Sequence, residues 1–245
     1  LGIIFDTDGD RAPAVDETGR EIARNRIVAL AAVLASQGHP GTTIVTDSIT
    51  STQLGEFLTK SLNLNHLRFK RGYKNVINKG LELNANGVDC QLAIETSGHA
   101  AMKENYFLDD GAYLSTKIVI AAAQLKKEGK SISSLLEKLE DPKEAKEYRF
   151  SVNCENFSDY AENVLALLKE SVENGELNGA SLELPNYEGV RVNIDKNHGD
   201  GWFLLRKSLH DPVMPLNIES NCDGGVETIY SLLKPFINKF DKLSI

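Results

Sequence analysis

The 245 residues predict an α/β protein: a three-layer α/β/α domain with a mostly parallel mixed sheet, followed by a smaller two-layer α+β domain with an antiparallel sheet. Two patterns predict it. In the first half, apolar strand-like runs alternate with helix-length amphipathic segments, the signature of parallel strands joined by helices. In the second half the order changes to β-α-β-β-β-β-α, which suits an antiparallel sheet backed by helices on one face. A charged, Pro-punctuated stretch between them reads as a linker over residues 131–147.

Each element has a local reason. Ile22, Ala23, Ile27, Leu30, Ala31 and Leu34 recur at helical spacing, and Gly38 stands where a helix would stop. The run T-T-I-V-T-D at 42–47 predicts a strand, and the Ser/Thr cluster after it suits the cap of a helix reaching about Leu62. Leu67 and Phe69 predict a short strand, Tyr73 to Leu83 a helix, V-D-C-Q-L-A-I at 88–94 a strand, and 112–127 a helix. Beyond the linker, Tyr148, Phe150, Val152 and Cys154 alternate with polar residues, as a half-buried strand does. A helix from Ser158 to about Asn174 follows, then strands near 181–185, 189–195, 202–206 and 213–219, and a last helix from about Gly225.

Composition sets limits on function. With 41% hydrophobic and 25% charged residues the chain is ordinary for a soluble protein, and a net charge of −8 supplies no attraction to nucleic acid or an anionic membrane. No apolar run approaches 18 residues, so no membrane span is expected. Cys90, Cys154 and Cys222 are odd in number and widely separated, which favours a reducing compartment such as the cytoplasm. The chain opens inside an apparent strand without an initiator Met, so a piece of a longer protein is expected.

The first chemistry lies in D-T-D-G-D-R. Asp6, Asp8 and Asp10 are alternate carboxylates that repel one another unless a cation neutralises them. Mg2+ prefers oxygen ligands and leaves coordination positions for phosphate oxygens, and Gly9 lets the flanking carboxylates converge. Arg11, planar and permanently charged, suits a phosphate oxygen. A solvated acidic turn is one alternative. An EF-hand loop is another, but Arg11 stands where it needs Gly, although Glu17 fits its twelfth position. A haloacid-dehalogenase phosphatase, with Asp6 as nucleophile, would want Thr or Val in place of Asp10.

Three further segments fall at strand ends, where an open α/β sheet presents its ligand. E-T-S-G-H carries Glu95 and Ser97, suited to sugar hydroxyls, and His99, suited to moving a proton at neutral pH. R-G-Y-K brings Lys74 within reach of the same cleft. R-K-S-L-H-D-P gathers Arg206, Lys207, Ser208 and His210, a plausible clasp for a phosphate dianion.

In their order along the chain the four segments resemble the C-terminal part of an α-D-phosphohexomutase, the family of phosphoglucomutases, phosphomannomutases and phosphoglucosamine mutases. D-T-D-G-D-R resembles the family's metal loop, R-G-Y-K its third-domain G-[FY]-K segment, E-T-S-G-H its sugar-binding loop, and R-K-S-L-H-D-P with L-N-I-E-S its phosphate-binding loop and following strand. The resemblance implies that residues 1–13 are the end of domain 2, 14–130 domain 3 and 148–245 domain 4. It implies Asp6, Asp8 and Asp10 as Mg2+ ligands, Arg11 and Lys74 beside the reacting phosphate, Glu95 and Ser97 on the sugar, and His99 as proton-transfer residue. Arg206 and Ser208 would hold the non-reacting phosphate. The implied reaction interconverts hexose 6-phosphate and 1-phosphate through a hexose 1,6-bisphosphate and a phosphoserine.

Two departures stand out. Leu209, His210 and Asp211 replace the family's small or amide residue, Thr and Glu, and the catalytic serine loop is absent along with the N-terminal domains. The expectation is an enzyme fragment inactive alone. A sugar-phosphate-binding module that has lost turnover is the non-enzymatic alternative.

Overall fold

The computed structural model describes residues 1–208 and 211–245, and divides into two compact units, Leu1–Asp141 and Pro142–Ile245.

The first unit begins with three two-residue antiparallel strands, β1 (Gly2–Ile3), β2 (Ala14–Val15) and β3 (Glu21–Ile22), so residues 1–13 pair with the chain that follows them. Helix α1 (Asn25–Ala35) starts three residues later than its apolar spacing suggests, because Ile22 is taken by β3. Strand β4 (Thr43–Thr46) is buried along its length. Ser51 caps α2 (Thr52–Glu56) by accepting the Leu54 N–H at 3.0 Å, and the helix runs on as one wide π turn, Phe57–Ser61. Strand β5 (Asn65–Arg68), helix α3 (Tyr73–Ala85) and the fully buried β6 (Cys90–Ile94) follow. Next come β7 (Ala100–Met102) and α4 (Gly111–Lys127), capped by the Asp110 carboxylate on the Tyr113 N–H.

The central sheet has the order β5-β4-β6-β7, parallel except for β7, which turns back along β6. Its two faces carry separate cores. Ile44, Leu92 and Ile94 pack with Leu30 and Ile118 of α1 and α4, while Val45, Cys90 and Ala93 pack with Val76 of α3. Helices on both faces explain why β4 and β6 are buried throughout instead of alternating.

The segment expected as a linker is shared out. Ile132, Leu136 and Leu139 are buried in the α1/α4 core around a 3-10 turn, Ile132–Leu136. Strand β8 (Glu144–Val152) opens the second unit four residues before the alternating pattern begins. Helix α5 (Phe157–Glu173), β9 (Ala180–Leu182), β10 (Val190–Ile194), β11 (Gly201–Leu205), β12 (Val213–Ser220), α6 (Gly225–Ile237) and β13 (Leu243–Ser244) complete it. All pairs in the sheet β13-β8-β12-β11-β10-β9 are antiparallel. Val164 and Leu168 of α5 and Ile229 and Leu233 of α6 meet Val192, Phe203, Leu205 and Leu216 in the core of this unit. No helix among the described residues is long and apolar enough to cross a membrane.

A carboxylate loop against a histidine loop

The first five apolar residues deliver D-T-D-G-D-R as a tight loop, closed by the Asp6 N–H on the Arg11 carbonyl at 3.3 Å and by Gly9 at φ 78°. Asp6 organises it. Its Oδ1 accepts the Gly9 and Arg11 N–H groups at 3.1 and 3.2 Å, and its Oδ2 accepts Arg11 Nε at 2.5 Å. Partial burial pushes its pKa up, but those hydrogen bonds and the Arg11 charge outweigh that and hold the carboxyl below the ordinary value. Both Asp6 oxygens are thus engaged within the loop itself.

Asp10 is the opposite case. Its Oδ1 is buried and accepts no hydrogen bond from the protein. Burial raises its pKa, the charges of Asp8, Asp109 and Asp6 add to the rise, and His99 opposes it. Asp6, Asp8 and Asp10 each offer an oxygen within 4.8 Å of the others. Three hard oxygen donors, one of them buried and unsatisfied, fit a small divalent cation.

Residues remote in sequence complete this place. Gly111, the first residue of α4, lies under the loop: a Cβ there would come within 2.8 Å of Asp10 C and Gly9 O. Gly98, at φ 102°, lays the E-T-S-G-H loop against the Arg11 side chain, where a Cβ would stand 3.6 Å from Arg11 Cβ. That brings His99 Nδ1 to 3.5 Å from Asp10 Oδ2 and 2.7 Å from Asp109 Oδ2, with Tyr73 stacked on the ring at 4.9 Å.

Glu95 follows the carboxyl end of β6 and is buried. Its Oε1 accepts the Gly72 N–H at 2.6 Å and its Oε2 the Ser97 hydroxyl at 3.3 Å, joining the R-G-Y-K and E-T-S-G-H loops. Asp47, at the end of β4, underpins both. It is wholly buried and accepts the Thr96 N–H at 3.1 Å and the Thr96 hydroxyl at 2.8 Å. Burial, with the nearby Glu95 charge, pushes its carboxyl up to about 6. Lys74 is exposed, with Nζ 5.8 Å from the Tyr73 ring centre.

In the second unit, Arg206 is buried at the end of β11 and its N–H pairs with the Pro215 carbonyl. Gly189 makes room for it, since a Cβ would meet Arg206 Cβ at 2.8 Å. Ser208 N–H bonds the Val213 carbonyl, and its hydroxyl accepts the Asp211 N–H at 3.4 Å. Lys207 faces away from this pair: its Nζ is bound to Ser158 at 3.0 Å and to Glu162 at 2.6 Å on α5. His210 lies outside the described residues.

Sequence reasoning did not single out Asp47, Asp109, Gly111 or Tyr73. An available signal was D-D-G at 109–111, two carboxylates and a glycine opening a helix.

Residues 23–142 match the family profile described as phosphoglucomutase/phosphomannomutase, alpha/beta/alpha domain III. The chain is 27% identical over 242 residues to a phosphomannomutase/phosphoglucomutase of Pseudomonas aeruginosa, covering 98% of this chain and 48% of that protein. It is 32% identical over 178 residues to a phosphoglucosamine mutase of Thermotoga maritima, covering 71% of this chain and 39% of that protein. A solved phosphoglucomutase/phosphomannomutase family protein from Burkholderia thailandensis superposes with a TM-score of 0.76 at 26% identity, over 97% of this chain and 46% of that one. The chain thus spans about half the length of the relatives it matches, or less.

Proposed function

Since the chain belongs to the phosphoglucomutase/phosphomannomutase family, we propose that it is the acceptor half of a phosphohexomutase, which receives a hexose phosphate and moves a phosphoryl group between its 6- and 1-positions. The observation that carries this reading is the approach of Asp10 and His99 to 3.5 Å. It unites a carboxylate loop suited to a cation with a loop suited to a sugar, from segments nearly 90 positions apart.

Asp6, Asp8 and Asp10 would hold Mg2+, which when bound neutralises charge on the transferring phosphoryl oxygens. The chain's own residues do the rest. Glu95 and Ser97 orient the sugar by accepting and donating to its hydroxyls. As a sugar oxygen bonds to phosphorus, its proton passes to His99, and the bond from phosphorus to the donor serine oxygen breaks with its electron pair on that oxygen. Arg11 and Lys74 offset the developing charge. The donor is a phosphoserine outside these 245 residues, and a hexose 1,6-bisphosphate is the intermediate. Arg206, Ser208 and His210 take the phosphate that is not reacting, while Lys207 holds their loop to α5.

Calorimetry of the 245-residue chain with Mg2+ or Mn2+ tests the site. Binding lost in Asp8→Asn and Asp10→Asn supports the reading, and equal affinity in all three proteins counts against it. The mutase step is tested by glucose, mannose and glucosamine phosphates with the phosphoserine-bearing part of the polypeptide supplied.

A further inference from the structure

The shortest contact to the His99 imidazole comes from Asp109, a residue with no role so far. Asp109 Oδ2 is 2.7 Å from Nδ1, whereas Asp10 Oδ2 is 3.5 Å away, at the limit of a hydrogen bond. The other Asp109 oxygen, Oδ1, accepts the Ala100 N–H at 3.0 Å. Its backbone is equally fixed. Asp109 bridges Ala101 of β7, and the next residue donates its N–H to the Ala100 carbonyl while capping α4. Tyr73 covers a face of the ring at an interplanar angle of 22°. With Nδ1 occupied and a face covered, Nε2 is the ring atom left to meet a reacting hydroxyl.

We propose that Asp109 is a positioning residue that keeps His99 in the Nδ1–H tautomer and fixes its plane, so that Nε2 carries the lone pair. The proposal rests on the reading of His99 as the proton acceptor in phosphoryl transfer. The partner of one imidazole nitrogen decides which nitrogen carries the proton, and a carboxylate, which only accepts, demands Nδ1–H. Asp10 is less suited to this task, because its carboxylate belongs to the cation-binding set. Asp109 lies outside the D-T-D-G-D-R loop, and its other oxygen is already held by the Ala100 N–H.

Asp109→Asn tests this with little change of shape. The Ala100 N–H needs an acceptor, so the amide oxygen faces Ala100 and the amide NH2 faces His99. Nδ1 must then accept, and the proton moves to Nε2. Nitrogen-15 spectra of the 245-residue chain, at a pH where the imidazole is neutral and with His99 assigned by a His99→Gln variant, should show Nδ1–H in the native chain and Nε2–H in Asp109→Asn. An Nε2–H tautomer in the native chain, a measurement that needs no variant to fold, would overturn the proposal. So would Nδ1–H persisting in a folded Asp109→Asn, which would give the ring to Asp10. With the phosphoserine-bearing part present, Asp109→Asn should lower kcat on the order of 100-fold or more at unchanged KM, as loss of an oriented proton acceptor does. An unchanged kcat would also overturn it. A native protein that turns over no hexose phosphate, yet shows the tautomer inversion, would refute the mutase reading and leave the positioning of His99 standing.

Discussion

Asp47→Asn should make the first unit more stable at neutral pH, which is unusual for a substitution at a wholly buried, hydrogen-bonded residue. The Asp47 carboxyl is raised from 3.8 to about 6, by burial first and by the Glu95 charge second, against hydrogen bonds from Thr96 and the charge of Arg71. The native protein therefore holds a proton that the unfolded chain has released between about pH 4 and pH 6. In that window the native state binds more protons, so stability falls as pH rises, and the full penalty applies above about pH 6. The gap from 3.8 to about 6, at about 1.4 kcal/mol per pH unit, amounts to about 3 kcal/mol. Asn carries no charge and keeps the pairing: its Oδ1 can accept the Thr96 N–H while its Nδ2 donates to the Thr96 hydroxyl. Urea unfolding at several pH values between 4 and 8 is the assay. Far-UV circular dichroism should follow it, with Trp202 fluorescence as a separate probe, because the single tryptophan lies in the second unit. The two proteins should be similar near pH 4 and diverge to about 3 kcal/mol in favour of Asp47→Asn by pH 7. A difference that does not change with pH, or a variant less stable at pH 8, would refute the reasoning.

Other perturbations test the remaining assignments. Gly111→Ala should weaken binding of Mg2+ roughly tenfold or more, the usual cost of disturbing the support of metal ligands, because its Cβ would press on the Asp10 and Gly9 backbone; calorimetry reads it. The 245-residue chain alone should show no mutase turnover, and measurable conversion of glucose 1-phosphate to glucose 6-phosphate would refute the assignment of the donor to a phosphoserine elsewhere. His210→Ala should lower sugar-phosphate affinity in the intact enzyme, and an unchanged Kd would remove His210 from the phosphate clasp. Ser51→Ala should cost about 1 kcal/mol in stability by removing the acceptor of the Leu54 N–H, as measured by urea unfolding.

The readable elements were those whose burial is periodic or continuous. β4 and β6 are buried along their whole length because helices cover both faces, and α5 shows its apolar stripe at Ala161, Val164, Leu165 and Leu168. The missed stretches draw their structure from partners. In β8, Glu144, Lys146 and Glu147 are charged, the stretch is largely exposed, and backbone pairing with Ser220 to Asn217 of β12 extends the strand where no hydrophobic alternation marks it. β7 is three small or flexible apolar residues, too short to show a period, and it exists because it pairs back along β6. The stretch expected as a linker contributes Ile132, Leu136 and Leu139 to a core shared with α1, α4 and the central sheet.

The candidate site divides along the same line. The sequence by itself determined which chemistries are present, because residue type and close spacing decide what D-T-D-G-D-R, E-T-S-G-H and R-K-S-L-H-D-P can bind. Tertiary structure alone decided which of those groups meet. Contact between Asp10 and His99, the glycine seat at Gly111, and the Asp109 carboxylate on Nδ1 arise where the sheet's carboxyl edge, the turn of β7 and the start of α4 converge. Hydrogen-bond direction and ångström distances across that junction do not exist in a one-dimensional pattern, and they separate a surface histidine from one held to a single tautomer.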